Sequence, residues 1–441
     1  MKTLIQLRLA DAIARPLEDG IVIREQVVPD ATENVVHAIL GMRSAGKTSY
    51  LFQKMKDLLD KGVGRTRLIY FNFEDERFSD LTLDKLNWIV EGYYTLYPEN
   101  YDKKVYFFFD EIQNIAGWEV FVGNLIQSKH IRVYITGSTD HLVAKDLDKN
   151  LDGKIQEMRL YPYSFREALK QAHIEIPKTL KNLSKNQQDL FENRILKYLY
   201  QGGFPKTQSQ LELDRTPTLQ SYVNTVVFKD IVERFGVTNI NLLKILIRHL
   251  LGKTGSHFSV NKFFNVIKAQ GIKVAKTTLH EYLEYLESTF IIHSVYIHTK
   301  SARQRMVNPR KIFAIDPGLA VAYFTEFTPE LENLLTTVIL VELLRRNAHV
   351  TYLTTPAGGE IDFIATYPDK SVEILQVIYD VTDEKHLKRK IHALDDARKM
   401  MPDATTTVIT LTDEKILITK NGQFNALPSW KWLLQSKPAK K

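Results

Sequence analysis

The segment Gly41-Met42-Arg43-Ser44-Ala45-Gly46-Lys47-Thr48 decides the fold of the N-terminal third of this chain. It reads G-x-x-x-x-G-K-T. An apolar run, Val35-Val36-His37-Ala38-Ile39-Leu40, leads into it, and Ser49-Tyr50-Leu51-Phe52-Gln53-Lys54-Met55 leads out with helical character. Strand, glycine loop and helix is the setting in which such a loop cradles phosphate. The glycines let backbone N–H groups turn inward without a Cβ clash. The helix N-terminus adds partial positive charge at the same place. Gly41, Ser44, Ala45, Gly46, Lys47, Thr48 and Ser49 are the nucleotide-binding residues expected from this pattern. Lys47 is expected to reach the β- and γ-phosphates of ATP, and the Thr48 hydroxyl to sit on Mg²⁺.

A second run, Val105-Tyr106-Phe107-Phe108-Phe109-Asp110-Glu111, reads as a buried strand ending in two carboxylates. A carboxylate at such a strand end holds a metal ion's water shell, which makes Asp110 the second metal residue beside Thr48. Glu111 is then placed to orient or deprotonate attacking water.

Length and composition bound the rest. A chain of 441 residues holds two to four domains. Hydrophobic content of 44% and charged content of 25% are ordinary for a globular protein. With no cysteine there is no disulfide, thiolate metal site or thiol nucleophile, which fits a reducing, cytoplasmic setting. The 12 histidines form no zinc motif. The first residues lack a signal-peptide apolar region, and no apolar run approaches membrane-spanning length, so no membrane partner is expected. A net charge of +7 permits nucleic-acid contact without demanding it.

Strand and helix patterns alternate from about residue 30 to 165, with further strand runs at Leu68–Phe73 and Ile131–Ser138. Such alternation predicts an α/β fold with a parallel sheet, whose ligands lie beyond the carboxyl ends of the strands. The pattern turns helical from about 166 to 235, around the breaker Gln201-Gly202-Gly203-Phe204-Pro205. Short helices and a strand pair between about 240 and 325 outline a winged helix. From about 330 to 435 the chain reads α/β again.

Together these segments resemble the prokaryotic AAA-type (AAA+) ATPases that carry a winged helix and a C-terminal domain of unknown function. The resemblance rests on Gly41–Thr48, Tyr70–Arg77, Phe109-Asp110-Glu111-Ile112-Gln113-Asn114-Ile115-Ala116-Gly117-Trp118-Glu119, Ile135–Ser138, Tyr161–Glu167, Gly202–Pro205 and Asp230–Arg234. It implies six parts: an N-terminal segment (1–30), a P-loop ATPase core (31–165), a helical lid (166–238), a winged helix (239–328), a degenerate, restriction-endonuclease-like domain (329–436) and a disordered tail (437–441). It makes Thr136 and Ser138 hydroxyl sensors of the γ-phosphate, catalytic alongside Asp110 and Glu111, and packs Pro205 on the adenine. The function implied is an ATP-binding and ATP-hydrolysing switch with a regulatory or defence role. The alternative is a DNA-binding ATPase with a nuclease-like domain. ATP and ADP, duplex DNA, an unidentified protein and a second copy of the chain are the partners it admits.

Two departures stand out. The family's Gly-Arg, whose arginine is a candidate finger, reads Gly153-Lys154 here, with Arg159 the nearest arginine on the following strand. In the nuclease-like domain Asp362, Gln376 and Glu342 match expected acidic or amide positions, but Ile378 stands where a catalytic lysine belongs, so DNA cleavage is not expected. Lys385 and Lys388 are the substitutes this reading offers. Between 257 and 311, nine basic residues (Lys262, Lys268, Lys273, Lys276, Lys300, Arg303, Arg305, Arg310, Lys311) face three acids (Glu281, Glu284, Glu287). Ala275, Lys276, Thr277 and His280 are the positions expected to face a DNA groove.

Overall fold

The computed structural model describes residues 1–17, 20–30, 32–143, 151, 153–324, 330–419 and 422–435. They fall into two units, Met1–Leu160 and Tyr161–Lys441. The expected tail, 437–441, lies outside the described residues.

In chain order the first unit contains α1 (Lys2–Ala14), β1 (Val36–Leu40), α2 (Lys47–Asp60), β2 (Leu68–Asn72), α3 (Asn87–Leu96), β3 (Val105–Asp110), α4 (Trp118–Leu125), β4 (Ile131–Gly137) and β5 (Ile155–Arg159). The sheet order is β2-β3-β4-β1-β5, and every pairing is parallel. Strands β1, β3 and β4 are buried along their whole length. That is why they read as unbroken apolar runs rather than alternating ones. From α2, Tyr50, Leu51, Met55 and Leu58 pack with Ile39, Phe108 and Tyr134 of the sheet. The chain leaves β1 and re-enters at the far edge as β2, so a crevice opens beyond the carboxyl ends of the central strands. The N-terminal segment is part of this unit: α1 buries Ile5, Leu9 and Ile13 and packs on α3 and β2.

The second unit begins with α5 (Phe165–Gln171), α6 (Lys185–Gln201) and α7 (Glu212–Thr225), then a π-helical run Val226–Val232, α8 (Glu233–Phe235) and α9 (Ile240–Gly252). Next come β6 (Ser256–Phe258), α10 (Val260–Ala269), α11 (Lys276–Ser288), β7 (Ile292–Ile297), α12 (Ala302–Val307), β8 (Arg310–Ala314) and α13 (Pro317–Ala322). The chain ends with α14 (Leu331–Arg345), β9 (His349–Thr354), β10 (Glu360–Thr366), β11 (Val372–Ile378), α15 (Glu384–Met400), β12 (Thr405–Thr410), β13 (Lys415–Thr419), β14 (Gly422–Pro428) and α16 (Ser429–Leu434). Strand β8 lies between β6 and β7, antiparallel to both; α9 packs on β8, α11 on β7 and α10 on α11. The boundary expected at 328/329 is not a boundary of the sheet. Tyr296 and Ile297 of β7 pair in parallel with Thr351 and Tyr352 of β9, which yields one mixed nine-stranded sheet, β13-β14-β12-β11-β10-β9-β7-β8-β6. Two strand edges that would each present unpaired N–H and C=O groups satisfy one another there.

Candidate nucleotide site and a second charged centre

The phosphate loop closes on geometry that only glycine permits at two points. A Cβ on Gly41 would stand 2.2 Å from the Leu160 carbonyl oxygen, and Gly46 holds φ at +103°. Lys47 opens α2, and its Nζ donates to the carbonyls of Gly41 (2.9 Å) and Met42 (3.3 Å). The same Nζ pairs with Glu111 Oε1 at 2.9 Å. Asp110 gathers three hydroxyls: Thr48 and Tyr70 each donate to Oδ2 at 2.7 Å, and Thr136 donates to Oδ1. The structure therefore brings Lys47, Thr48, Asp110, Glu111 and Thr136 together at the carboxyl edge of the sheet. Ser44 and Ala45 lie in the loop, and Ser49 follows Thr48 in α2.

The two adjacent carboxyl groups are driven apart. Burial, then the neighbouring Glu111 charge, pushes Asp110 above the usual range despite its hydroxyl donors. Burial acts in the same sense on Glu111, but Lys47 and Arg43 outweigh it and hold Glu111 below its ordinary value. Burial and the Asp110 charge push the Tyr70 phenol far up, so it remains a donor.

Thr136 is engaged on both sides, donating to Asp110 and accepting from the Glu111 N–H at 2.9 Å. Ser138 accepts from Gln113 Nε2 at 3.0 Å, and the same amide donates to Glu111 Oε2 at 2.6 Å. Gln113 thus ties Ser138 to the candidate base. Three further contributors escaped the sequence reading. Tyr70 lies on β2 within a quoted stretch, yet only the fold brings its hydroxyl to Asp110. Arg43, in the loop itself, is buried and ion-paired with Glu74 beyond the end of β2. Arg24, in the N-terminal segment, is buried and donates to the Ala45 carbonyl at 3.0 Å. Lys154 precedes β5 by one residue, and its backbone carbonyl accepts from the Val36 N–H at 2.8 Å.

Residues 33–169 match the family described as AAA domain. The first unit carries an AAA domain. Residues 192–330 match a domain of unknown function (DUF8612). Over 424 residues the chain is 28% identical to the uncharacterized protein MJ1544 of Methanocaldococcus jannaschii, covering 94% of this chain and 91% of that one. An uncharacterized protein of Haemophilus influenzae is 26% identical over 383 residues, covering 86% and 91%. Among solved structures, the Aeropyrum pernix ORC1 protein in complex with DNA is similar over 73% of this chain and 91% of that one, at 14% identity and a TM-score of 0.30. Among the described residues no helix is long and apolar enough to cross a membrane.

In the second unit Pro205 opens a short 3-10 turn after Gly202-Gly203-Phe204. The glycines before it answer to packing. A Cβ on Gly203 would meet the Tyr163 carbonyl oxygen at 2.2 Å, and the Gly203 N–H donates to buried Asp316 at 2.7 Å. Ala275, Lys276, Thr277 and His280 are exposed around the start of α11. Among the nine basic residues counted above, Lys311 and Arg310 are drawn onto neighbouring strands. Lys311 is buried and pairs with Glu360 at 2.6 Å, and Arg310 donates to the Tyr296 hydroxyl at 3.0 Å. Charge counting missed this because their partners come from other strands.

A further charged centre lies on β10, β11, α14 and α15. Asp362 Oδ2 accepts from the Gln376 amide (2.8 Å), the Val377 N–H (2.9 Å) and Lys390 Nζ (3.0 Å). Gln376 is therefore beside Asp362, as expected. Glu342 is not: it pairs with Arg345 of its own helix and with Arg346 just past the helix end, at 3.1 and 2.9 Å. Glu332, earlier on α14, takes its place through Lys390 at 2.8 Å. The lysine at the centre is Lys390, not Lys385 or Lys388. Lys385 is exposed, and Lys388 is exposed and pairs with Glu384. Burial works against the Lys390 charge, but Asp362 and Glu332 outweigh it and hold its pKa above the ordinary lysine value.

Proposed function

We propose that this protein binds Mg²⁺–ATP at the AAA domain and hydrolyses it, and that the bound-nucleotide state acts as a regulatory switch. The observation that supports this best is the Lys47–Glu111 ion pair at 2.9 Å. The phosphate-binding cation and the candidate base hold each other. An incoming triphosphate offers Lys47 more negative charge than one carboxylate does, and the N-terminus of α2 adds to the attraction. Glu111 then turns to water, kept in place by Gln113. It takes the proton as the water oxygen bonds to the γ-phosphorus. The bond from that phosphorus to the β–γ bridging oxygen breaks, and ADP leaves with the electron pair.

The Thr48 hydroxyl and the Asp110 carboxylate, 2.7 Å apart, are hard oxygen donors of the kind that hold Mg²⁺ and its water shell. An ion held by these two residues would offset the negative charge of the triphosphate. Thr136 keeps Asp110 and the Glu111 backbone in register. Lysine at 154 lacks the planar fork of the arginine that the resemblance leads one to expect. Arg43 supplies that fork from within the loop, exchanging Glu74 for γ-phosphate oxygens. Its charge already reaches Glu111.

Steady-state phosphate release from Mg²⁺–ATP tests the reading. Wild type turns over. Glu111→Gln keeps ATP binding and loses roughly 10²–10⁴ in rate. Arg43→Ala loses roughly 10² or more and still binds ADP. A wild-type protein that binds ATP without turnover would reduce this site to a structural nucleotide scaffold. Parent-rate turnover in Glu111→Gln would remove Glu111 from the role of base.

A further inference from the structure

The match to the AAA domain begins at residue 33. Residues 21–30, just before it, form neither helix nor strand, yet their backbone is fixed along α2. The Arg24 N–H donates to Gln53 Oε1 at 2.8 Å, and Gln53 Nε2 donates back to the Arg24 carbonyl at 3.3 Å. The Val28 N–H donates to the Tyr50 hydroxyl at 2.8 Å. Lys54 Nζ donates to the Val28 carbonyl at 3.1 Å and to Asp30 Oδ1 at 2.8 Å. Tyr50, Gln53 and Lys54 are all buried. Spacings of three and four residues put them on one face of the helix that opens with Lys47. Buried polar groups need partners, and here three of them are given over to the segment that precedes the domain.

Held in this way, the segment delivers one side chain to the phosphate loop. Arg24 is only 4% exposed, and its Nη1 donates to the Ala45 carbonyl at 3.0 Å. The Ala45–Gly46 peptide is trans, and a trans peptide is planar. The Ala45 carbonyl and the Gly46 N–H therefore point in opposite directions, and a grip on the first sets the direction of the second. Gly46 is the residue of the loop that most needs such a grip. It is a glycine at φ +103°, free of the Cβ that would narrow its choice of backbone angles, and it is the N-cap of α2. On either side of that peptide, the Ala45 N–H donates to the Met42 carbonyl at 3.2 Å, and the Gly46 carbonyl accepts from the Tyr50 N–H at 2.9 Å. Arg24 adds a charged donor to these two neutral backbone bonds, and charge-assisted hydrogen bonds are the stronger kind.

We propose, on the ATP reading of the loop given above, that Arg24 is a positioning residue: by holding the Ala45 carbonyl it aims the Gly46 amide into the phosphate cradle before ATP arrives. Residues 21–30 are then a working part of the nucleotide site although they precede the AAA match. Without Arg24 the loop must be ordered at the moment of binding, and that cost is taken from affinity. The chemical step is spared. Glu111 is held by Lys47 and Gln113, and Asp110 by Thr48, Tyr70 and Thr136, none of them through Arg24. Arg132 offers the contrast of a buried arginine with a structural role. It is 2% exposed and donates to the Lys129 and Ile131 carbonyls at the amino end of β4, whereas the phosphate loop lies at the carboxyl edge of the sheet.

Two measurements on the full chain test this in wild type, Arg24→Ala, Arg24→Lys and Arg132→Ala. The first is amide hydrogen exchange of residues 41–49 without nucleotide. The second is phosphate release against Mg²⁺–ATP concentration. Arg24→Ala is expected to exchange about tenfold faster in the loop and to raise KM about tenfold, the worth of one charge-assisted hydrogen bond, with kcat within about threefold of the parent. Arg24→Lys, which keeps a charged donor, recovers most of both effects. Arg132→Ala lowers the melting temperature and moves neither. Should Arg24→Ala fail to fold, Arg24→Met, which keeps a long buried stem and removes the donor, takes its place with the same expectations. The proposal is overturned if loop exchange and KM in the alanine or methionine variant match wild type, if kcat falls while KM stands, if lysine restores nothing, or if Arg132→Ala loosens the loop as much. Wild type that releases no phosphate would contradict the ATP reading instead, and loop exchange still decides the role of Arg24: unchanged exchange in Arg24→Ala overturns it.

Discussion

Lys47 and Lys390 each sink an ammonium group among three oxygens. Around Lys47 these are two loop carbonyls and one carboxylate, Glu111. Around Lys390 they are one carbonyl and two carboxylates, Glu332 and Asp362. The counts look alike, but the surroundings differ in sign. Lys47 stands at the first turn of a 14-residue helix, whose N-terminus offers an arriving anion positive potential beside a cation able to change partners. Lys390 stands between two carboxylates, with Lys311 Nζ 3.8 Å from the other oxygen of Asp362, so its charge is held inside a network of ion pairs. One lysine is set up to trade its carboxylate for phosphate. The other is set up to keep its carboxylates.

This contrast predicts unequal stability effects. Lys390→Ala leaves Asp362 and Glu332 without their shared cation and should cost about 3–5 kcal/mol of unfolding free energy, read from urea melts in metal-free buffer. A loss below about 1 kcal/mol would mean that water reaches the carboxylates and that the centre is not closed.

A smaller effect sharpens the view of the second unit as a structural body. Burial raises Asp316 to about 6, against the backbone N–H groups of Gly203, Gly318 and Leu319 that favour its charged form. The folded value lies above the unfolded one near 3.9, so this contribution is complete below about pH 4 and is lost as pH rises through about 6. Wild type should therefore lose up to about 3 kcal/mol relative to Asp316→Asn between pH 4 and pH 7. Parallel pH profiles for the two proteins would show that Asp316 titrates normally.

The AAA half was legible because its elements are local. Glycine loop, apolar strand and strand-end carboxylates each occupy a short run, and a parallel sheet buried on both faces leaves unbroken apolar stretches. Helix α1 was not read from the sequence, although Ile5, Leu9 and Ile13 at four-residue spacing carry its signal. The second centre was not legible. A search along β11 meets Ile378 and stops, whereas the lysine that reaches Asp362 lies on the next helix, and nothing in the spacing says which of Lys385, Lys388 and Lys390 turns inward. Glu342 and Glu332 share a helix, and only tertiary packing decides which of them meets β10. The β7–β9 pairing that fuses the sheet is backbone hydrogen bonding, which leaves no trace in side-chain patterns. Lys311 illustrates the same limit, since its partner Glu360 lies about 50 residues away in sequence.

The central claim is that the glycine loop of the AAA domain binds ATP through Lys47, and calorimetric titration of Mg²⁺–ATP into wild type and Lys47→Ala tests it most directly. Wild type should bind one ATP per chain, and Lys47→Ala should show no saturable binding, since the side-chain cation that opens α2 is gone. Lys390→Ala, run beside them, should bind ATP as wild type does. Nanomolar-to-micromolar ATP affinity retained in Lys47→Ala, or no binding by wild type, would contradict the account.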